Sequence, residues 1–368
     1  MKNKISTHIA LCSDIPQLSD NKIFDERIGE SCIGTGWARH LRKHWIAGEV
    51  VTGDVAERCI SDGEWMPSQV LVVQSDGSKV GERLEAYGCK KLARLNYESP
   101  LYAFREFDKR RDRVEEYAYT QQALTGPHRE HVEGEARSMR MPCLKGSQKE
   151  WMRKSTLWNA TGDRKNRVAL IAGYKPLRSE LRRCVSEGEL RSLHYGALTD
   201  IRRLSSKTFR DARKLSTHTE RIELIRQTAN ACGIDVYGRN WENACIHPAM
   251  IMGRCVSKER ILRQYKYSLT LENCVWPGYH TEKLAQAIAE GTVPITRLDA
   301  VTAREVPREC FIDSREFAQG SCNLPTAKEY EKLVEAGKRY LASSLARLYF
   351  EEDFAVEMVE AAELARRR

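Results

Sequence analysis

The chain has 368 residues, 41% of them hydrophobic, and a formal net charge of +9. That length suits two domains with real cores, and no apolar run approaches the roughly 18 residues that a membrane span needs. The positive balance fits an anionic partner, but Lys, Arg, Asp and Glu are interleaved rather than blocked, so charge alone does not choose among a sugar nucleotide, an anionic lipid surface and nucleic acid.

The twelve cysteines are scattered and form no Cys-x-x-Cys pair. With no secretory leader signature at the start, they read as reduced thiols of a cytoplasmic protein rather than as disulfides or a zinc site. Ile9-Ala10-Leu11-Cys12 predicts a first strand. Gly34-Thr35-Gly36 then precedes a helical pattern from Trp37 to Ile46, closed by Gly48, and Glu49-Val50-Val51-Thr52 predicts the next strand. This is a Rossmann-like opening. A lone Gly-x-Gly, without the rest of the dinucleotide fingerprint, reads as a tight turn into a packed helix. Val70-Leu71-Val72-Val73 predicts another buried strand, and Leu92 to Leu95 a further one that runs out through Glu98 to Pro100, where regular structure must stop. A carboxylate at a strand end is ordinarily just solvated.

Residues 104–137 are strongly charged and read as solvated helix and loop. The polar stretch 145–166, with Gly146 and Gly162, predicts an interdomain linker, set at 151–166 between a first domain of 1–150 and a second of 167–335. Arg167 to Ala172 predicts the strand that opens the second domain, followed by a basic helical insertion over about 175–214. Thr217-His218-Thr219-Glu220 has the form of a capping box, and the helix it starts should end near Gly233, ahead of a strand and turn at Ile234-Asp235-Val236-Tyr237-Gly238-Arg239.

The stretch from Tyr265 to Ile295 carries the most information. Tyr267, Leu269 and Leu271 alternate with Ser268, Thr270 and Glu272, as a strand does. A loop through Pro277 and Gly278 leads to Thr281, which can cap a helix with Leu284, Ala287 and Ile288 on its apolar face. Gly291 suits the position after the helix, and Thr292-Val293-Pro294-Ile295 predicts the next strand. A strand–loop–helix–strand unit implies a parallel sheet, and ligands bind at the edge where Glu272 and Asn273 fall. Lys283, in the helix's first turn, is unfavourable there by roughly 0.3–1 kcal/mol unless an anion is bound. A phosphate would reverse the sign; a solvated lysine is the alternative. Phe311-Ile312-Asp313 with Phe317 predicts a packed element beside the sheet. From Thr326 to Arg368 the spacing is helical, and residues 336–368 are expected to pack back toward the first domain.

In wording, Tyr265-Lys266, Leu271-Glu272-Asn273, Tyr279-His280-Thr281-Glu282-Lys283 and Val293-Pro294-Ile295 resemble the donor-binding motif of the α-1,3-fucosyltransferases, glycosyltransferase family ten. Leu271 departs from the family's usual phenylalanine. Weaker similarities lie at Glu98-Ser99-Pro100, Arg140-Met141-Pro142, Arg221, Ile234 to Arg239 and Phe311 to Phe317. Ala172-Gly173-Tyr174 departs from the Ser-Asn that usually follows the corresponding strand, and the 175–214 insertion is also unlike the family.

The resemblance implies an α/β protein of two Rossmann-like domains facing across a cleft (GT-B type). It implies an inverting transfer of fucose from GDP-fucose to a hydroxyl of an N-acetylglucosamine-containing glycan. Glu98 would be the general base. Arg221, Asn273, Tyr279, Glu282 and Lys283 would bind the donor, with Glu272, Arg239 and Lys266 secondary. No metal or other cofactor is required by that scheme, because cationic side chains and a helix end oppose the leaving charge. Arg366-Arg367-Arg368 leaves peripheral membrane contact open. The rival readings are a related transferase using another nucleotide sugar such as GDP-mannose, a basic nucleic-acid-binding protein, and a non-enzymatic glycan-binding relative. No basic stripe interleaved with aromatics supports the nucleic-acid reading.

Overall fold

The computed structural model describes residues 6–26, 35–75, 78–95, 97, 119–120, 141–155, 163–174, 206–244 and 246–367. Glu98 with Ser99-Pro100, Gly34, Arg140, most of 104–137, residues 156–162 of the expected linker, residues 175–205 of the insertion and Arg368 lie outside the described residues. The chain divides into two compact units. The described residues up to Tyr97, those of 119–120 and 141–152, and those from Ala346 onward form the first; those of Arg153–Leu345 form the second.

In the first unit, β1 (His8–Cys12), α1 (Trp37–His44), β2 (Val50–Thr52), α2 (Gly53–Ser61), β3 (Val70–Ser75), α3 (Lys79–Ala86), β4 (Lys90–Leu95) and β5 (Tyr119–Thr120) follow in order. The sheet is parallel, in the order β2-β1-β3-β4-β5. β1, β2 and β3 are short, largely apolar runs because both faces are covered. Ala10, Val51, Val70 and Val72 pack with Ala56 of α2 and Val80 and Leu84 of α3. On the other face Ile9, Leu71, Val73 and Leu92 pack with Trp37 and Leu41 of α1, and with Phe354, Ala355 and Met358, which follow the second unit in the sequence.

The expected linker is not structureless. A helix, α4 (Gln148–Ser155), occupies its start, and the first strand of the second unit, β6 (Lys165–Ile171), begins within its end. The second unit continues with α5 (Lys207–Lys214), α6 (His218–Ala231), β7 (Ile234–Tyr237), β8 (Ile251–Gly253), α7 (Lys258–Leu262), β9 (Tyr265–Leu269), α8 (Glu282–Ala289), β10 (Val293–Thr296), β11 (Ile312–Asp313), α9 (Ser314–Gln319) and α10 (Ala327–Leu341). Its six strands are parallel in the order β11-β10-β9-β6-β7-β8. Counted within the unit this is the doubly wound order 3-2-1-4-5-6, read from the other side, with β6 and β9 meeting at the reversal. Phe311-Ile312-Asp313 thus supplies the edge strand itself, and Phe317 is buried in the core.

Val168, Leu170, Tyr267, Leu269, Val293 and Ile295 pack with Leu224 and Ile225 of α6 and with Tyr330 and Val334 of α10. At Gly337 the helix α10 comes so close to α8 that an added Cβ would sit 2.9 Å from a methyl of Ile288. Past a turn at Ser344–Tyr349, α11 (Glu351–Arg367) returns to the first unit. The boundary differs from the one expected at 335/336: α10 stays with the second unit, and only the residues from Ala346 onward belong to the first. No helix among the described residues is long and apolar enough to cross a membrane.

Candidate functional site

The reversal point of the second sheet is built from the segments that follow β6 and β9. Just beyond β9, Leu271-Glu272-Asn273 meets the N-terminal ends of two helices. Thr217, which precedes α6, donates from its hydroxyl to the Glu272 carbonyl and from its N–H to the Asn273 carbonyl (3.1 Å). The capping box expected at Thr217 is therefore not made: its hydroxyl is drawn to a distant carbonyl, and Glu220 binds Arg297 (3.2 Å) and Ser314 (3.0 Å) instead.

Thr281, which precedes α8, behaves in the same way. Its side chain caps no helical N–H; its hydroxyl and its own N–H (2.8 Å) both donate to the Glu272 carboxylate. Lys283 Nζ completes the ring, 2.6 Å from Glu272 Oε2 and 2.6 Å from Thr281 Oγ1. Glu272 is thus an internal anion held at the positive end of α8. Next to it, Glu282 pairs with Lys258 of α7 at 2.7 Å and lies 3.9 Å from Lys283.

Burial works to raise the Glu282 carboxyl, but the ammonium groups of Lys258 and Lys283 outweigh it and hold the group well below the usual carboxylate range. Burial likewise works against the Lys283 ammonium; Glu272 and Glu282 outweigh that and push its pKa up. Both groups are charged at neutral pH. Arg221, on the first turn of α6 and 3% exposed, donates from Nη2 to the carbonyls of Leu271 (2.8 Å) and Glu272 (3.1 Å) and to Asn273 Oδ1 (3.5 Å). Beside it, His218 is buried, and burial together with the Arg221 charge lowers its pKa to about 4. Three cations, Lys258, Lys283 and Arg221, therefore face two carboxylates and two helix N-termini, a balance that still favours an added anion.

Tyr279 is buried in the loop between Glu272 and α8, where Gly278 N–H donates to Asp299 Oδ1 at 2.8 Å. Across the reversal point, Ala172-Gly173-Tyr174 follows β6. Tyr174 N–H donates to the Arg239 carbonyl (2.9 Å), and the Tyr174 ring leans on Trp241 at 5.3 Å. Gly238 makes this possible. Its φ is +143°, and an added Cβ would lie 1.9 Å from the Ala172 carbonyl oxygen.

The structure thus brings Arg221, Glu272, Asn273, Tyr279, Glu282 and Lys283 to one sheet edge. It does not bring Lys266 there. Lys266 lies near the opposite end of β9, with its ammonium over the Tyr330 ring at 5.4 Å. Arg239 follows β7, one strand further out, with its side chain exposed to solvent. Glu98 lies outside the described residues; β4 ends at Leu95, shortly before it in the sequence. Lys258 and Thr217 are additions that sequence reasoning missed. The spacing of Lys258 from Glu282 carries no local signal. In the first unit, the C-terminal ends of β1, β2 and β3 line a pocket with Cys12, Ser13, Thr52, Asp54 and Ser75, at the reversal point of that sheet.

Residues 207–342 match the family model described as glycosyltransferase family 10 (fucosyltransferase) C-term. The match opens at α5 and closes one residue past α10. A candidate fucosyltransferase of Acanthamoeba polyphaga mimivirus is 28% identical over 97 residues, which is 26% of this chain and 16% of that protein. The chain thus aligns with less than a fifth of that relative's length. Among solved structures, the chain is similar to an α1,3-fucosyltransferase at 13% identity, covering 100% of this chain and 92% of that one, with a TM-score of 0.44. A second similar structure is an α1,3-fucosyltransferase with GDP-fucose, at 12% identity, covering 99% and 91%, with a TM-score of 0.39.

Proposed function

We propose that the chain is a glycosyltransferase that moves fucose from GDP-fucose to a hydroxyl of an N-acetylglucosamine-containing glycan, with inversion at the anomeric carbon. One observation carries the reading. The segment that matches the fucosyltransferase model, 207–342, folds so that Lys283, Arg221 and two helix N-termini meet at the reversal point of a doubly wound sheet. That is where such sheets take nucleotides.

The chemistry asks for two things. As the acceptor oxygen attacks the anomeric carbon, it must lose its proton, and the bond from that carbon to the diphosphate oxygen breaks with its electron pair leaving on GDP. In this reading Glu98 accepts the proton. Lys283 and the N–H groups at the start of α8 face the growing negative charge, with Lys258 holding Glu282 and Arg221 holding the Leu271–Asn273 backbone in place. Asn273, Tyr279 and Glu282 are assigned to hydroxyls of the sugar and ribose. The scheme routes no step through a metal. The first unit is the acceptor side, its pocket at the ends of β1, β2 and β3 being the region to probe first. A cytoplasmic placement, consistent with the scattered thiols, belongs to the same proposal.

The test is incubation of the full chain with GDP-fucose and a panel of glycan acceptors, following GDP release and product linkage, with parallel arms using GDP-mannose and UDP-sugars. GDP release that needs both GDP-fucose and an N-acetylglucosamine-containing acceptor is expected. Turnover with a different nucleotide sugar, and none with GDP-fucose, would move the protein to another donor class.

A further inference from the structure

In the first unit, α1 carries His40 and His44 one turn apart, on the side that meets the start of α11. Residues four apart on a helix share a face, and α11 presents Glu352 to that face. One ligand-capable atom from each of the three side chains lies within 4.8 Å of the others, and His44 Nε2 is 3.8 Å from Glu352 Oε1. His44 Nε2 is buried at the atom level, yet it takes no hydrogen bond. The helices themselves are fixed, since Trp37 packs edge-on against Phe354 at 5.2 Å within the core. The backbone around Glu352 is fixed too: its N–H donates to the Gly146 carbonyl (3.1 Å), and Asp353 accepts from Gln148 N–H (2.7 Å).

The geometry points to a divalent-metal site of the zinc type, made by His40, His44 and Glu352, that pins α11 to α1. Two imidazoles and one carboxylate are a common zinc donor set, with a fourth position left for water. Zinc–ligand bonds near 2.0–2.1 Å put tetrahedral ligand atoms roughly 3.3 Å apart. Rotation of three half-exposed side chains by about 1 Å achieves this without moving the helices, and the unbonded His44 Nε2 gains a partner. Arg39 and Lys43 lie close enough to act on His40 electrostatically, so a dication there meets some repulsion that the Glu352 charge must offset. The consequence is structural: residues 40 and 44 become cross-linked to residue 352 within one unit, and the metal adds to an attachment made by apolar packing and the approach of His44 to Glu352. This inference does not rest on the proposed transfer activity.

The experiment uses the untagged full chain, stripped with a chelator and titrated with ZnCl2 by calorimetry and with Co(II) by absorption. About one zinc per chain is expected at this site, with affinity falling roughly tenfold or more in His44→Ala and in Glu352→Gln. Bound Co(II) should show visible ligand-field bands without the near-ultraviolet thiolate band that cysteine ligation would give. Zinc should raise the melting temperature of the parent chain and not that of His44→Ala. His44→Gln, which keeps the side-chain bulk, serves as a second variant, and far-ultraviolet circular dichroism shows that both are folded. Binding that is undiminished in the folded variants, a thiolate-type Co(II) spectrum, or no measurable binding to the parent chain would overturn the assignment.

Discussion

Lys283 Nζ lies 2.6 Å from Glu272 Oε2, and the two side chains are 13% and 5% exposed. A lysine that would oppose a diphosphate is thus already paired, on the carboxylate that occupies the start of α8. An entering phosphate must share or displace that partner. Breaking a buried pair by removing one charge is expensive, because the other stays behind. Glu272→Gln is therefore expected to cost about 3 kcal/mol of stability, read from the urea midpoint. Lys283→Ala leaves Glu272 with its Thr281 donors, so it should cost less stability but weaken GDP binding by at least about tenfold, measured by calorimetry. Unchanged GDP affinity would remove Lys283 from the donor site.

Arg221 reaches two carbonyls and an amide oxygen of one loop from a single nitrogen. A lysine ends in an ammonium on a shorter, unbranched stem, so its one nitrogen does not reach the place that Arg221 Nη2 holds. Arg221→Lys is expected to destabilise the second unit by about 2 kcal/mol and to reduce GDP affinity, because Asn273 loses its anchor. Equal urea midpoints for the parent and the variant would show that the loop stands without it.

His218 gives the site a pH dependence. Its folded pKa is lowered to about 4 from 6.5, by burial first and by Arg221 second. Between those values the unfolded chain binds a proton that the folded chain does not, so stability rises with pH across this window. The contribution is complete above about pH 6.5 and is lost as pH falls toward 4, amounting to about 3 kcal/mol at most. Urea midpoints taken from pH 7 to pH 4 should fall more steeply for the parent than for His218→Asn. Parallel slopes would reject the assignment.

Glu98→Gln removes the proposed base and leaves the second unit untouched. Turnover should fall by about 10²–10⁴-fold while GDP affinity stays within a factor of about two, since general-base catalysis contributes in that range. Turnover that persists would place the base elsewhere.

Most strands were legible because short apolar runs bounded by turn residues have few other readings. The expected strands at 9–12, 49–52 and 70–73 appear within one or two residues at each end. Capping was misread for one physical reason. Thr217 and Thr281 have the right residue type at the right place, but their hydroxyls go to Glu272, which lies outside either helix and is brought to both by the fold. No local rule can weigh that competitor. Lys266 enters the expected site because the motif that the chain resembles opens on Tyr265-Lys266. At about 3.3 Å per residue along a strand, six positions put it roughly 20 Å from Glu272. The centrality of Glu272 was not legible, since its role is defined by the partners that gather around it. The spacing of His40 and His44 was visible in the sequence, but their third partner lies on a helix more than three hundred residues later.

The return of α11 to the first unit sets an order of events during synthesis. Trp37 and Leu41 leave the ribosome well before the side chains that close their core, Phe354 and Met358, which follow the whole second unit in the sequence. The second unit can gather its own sheet in the meantime. The unit that starts earlier in the sequence is therefore finished after the other, and until α11 has been made it waits with one greasy wall open, a natural client for a chaperone.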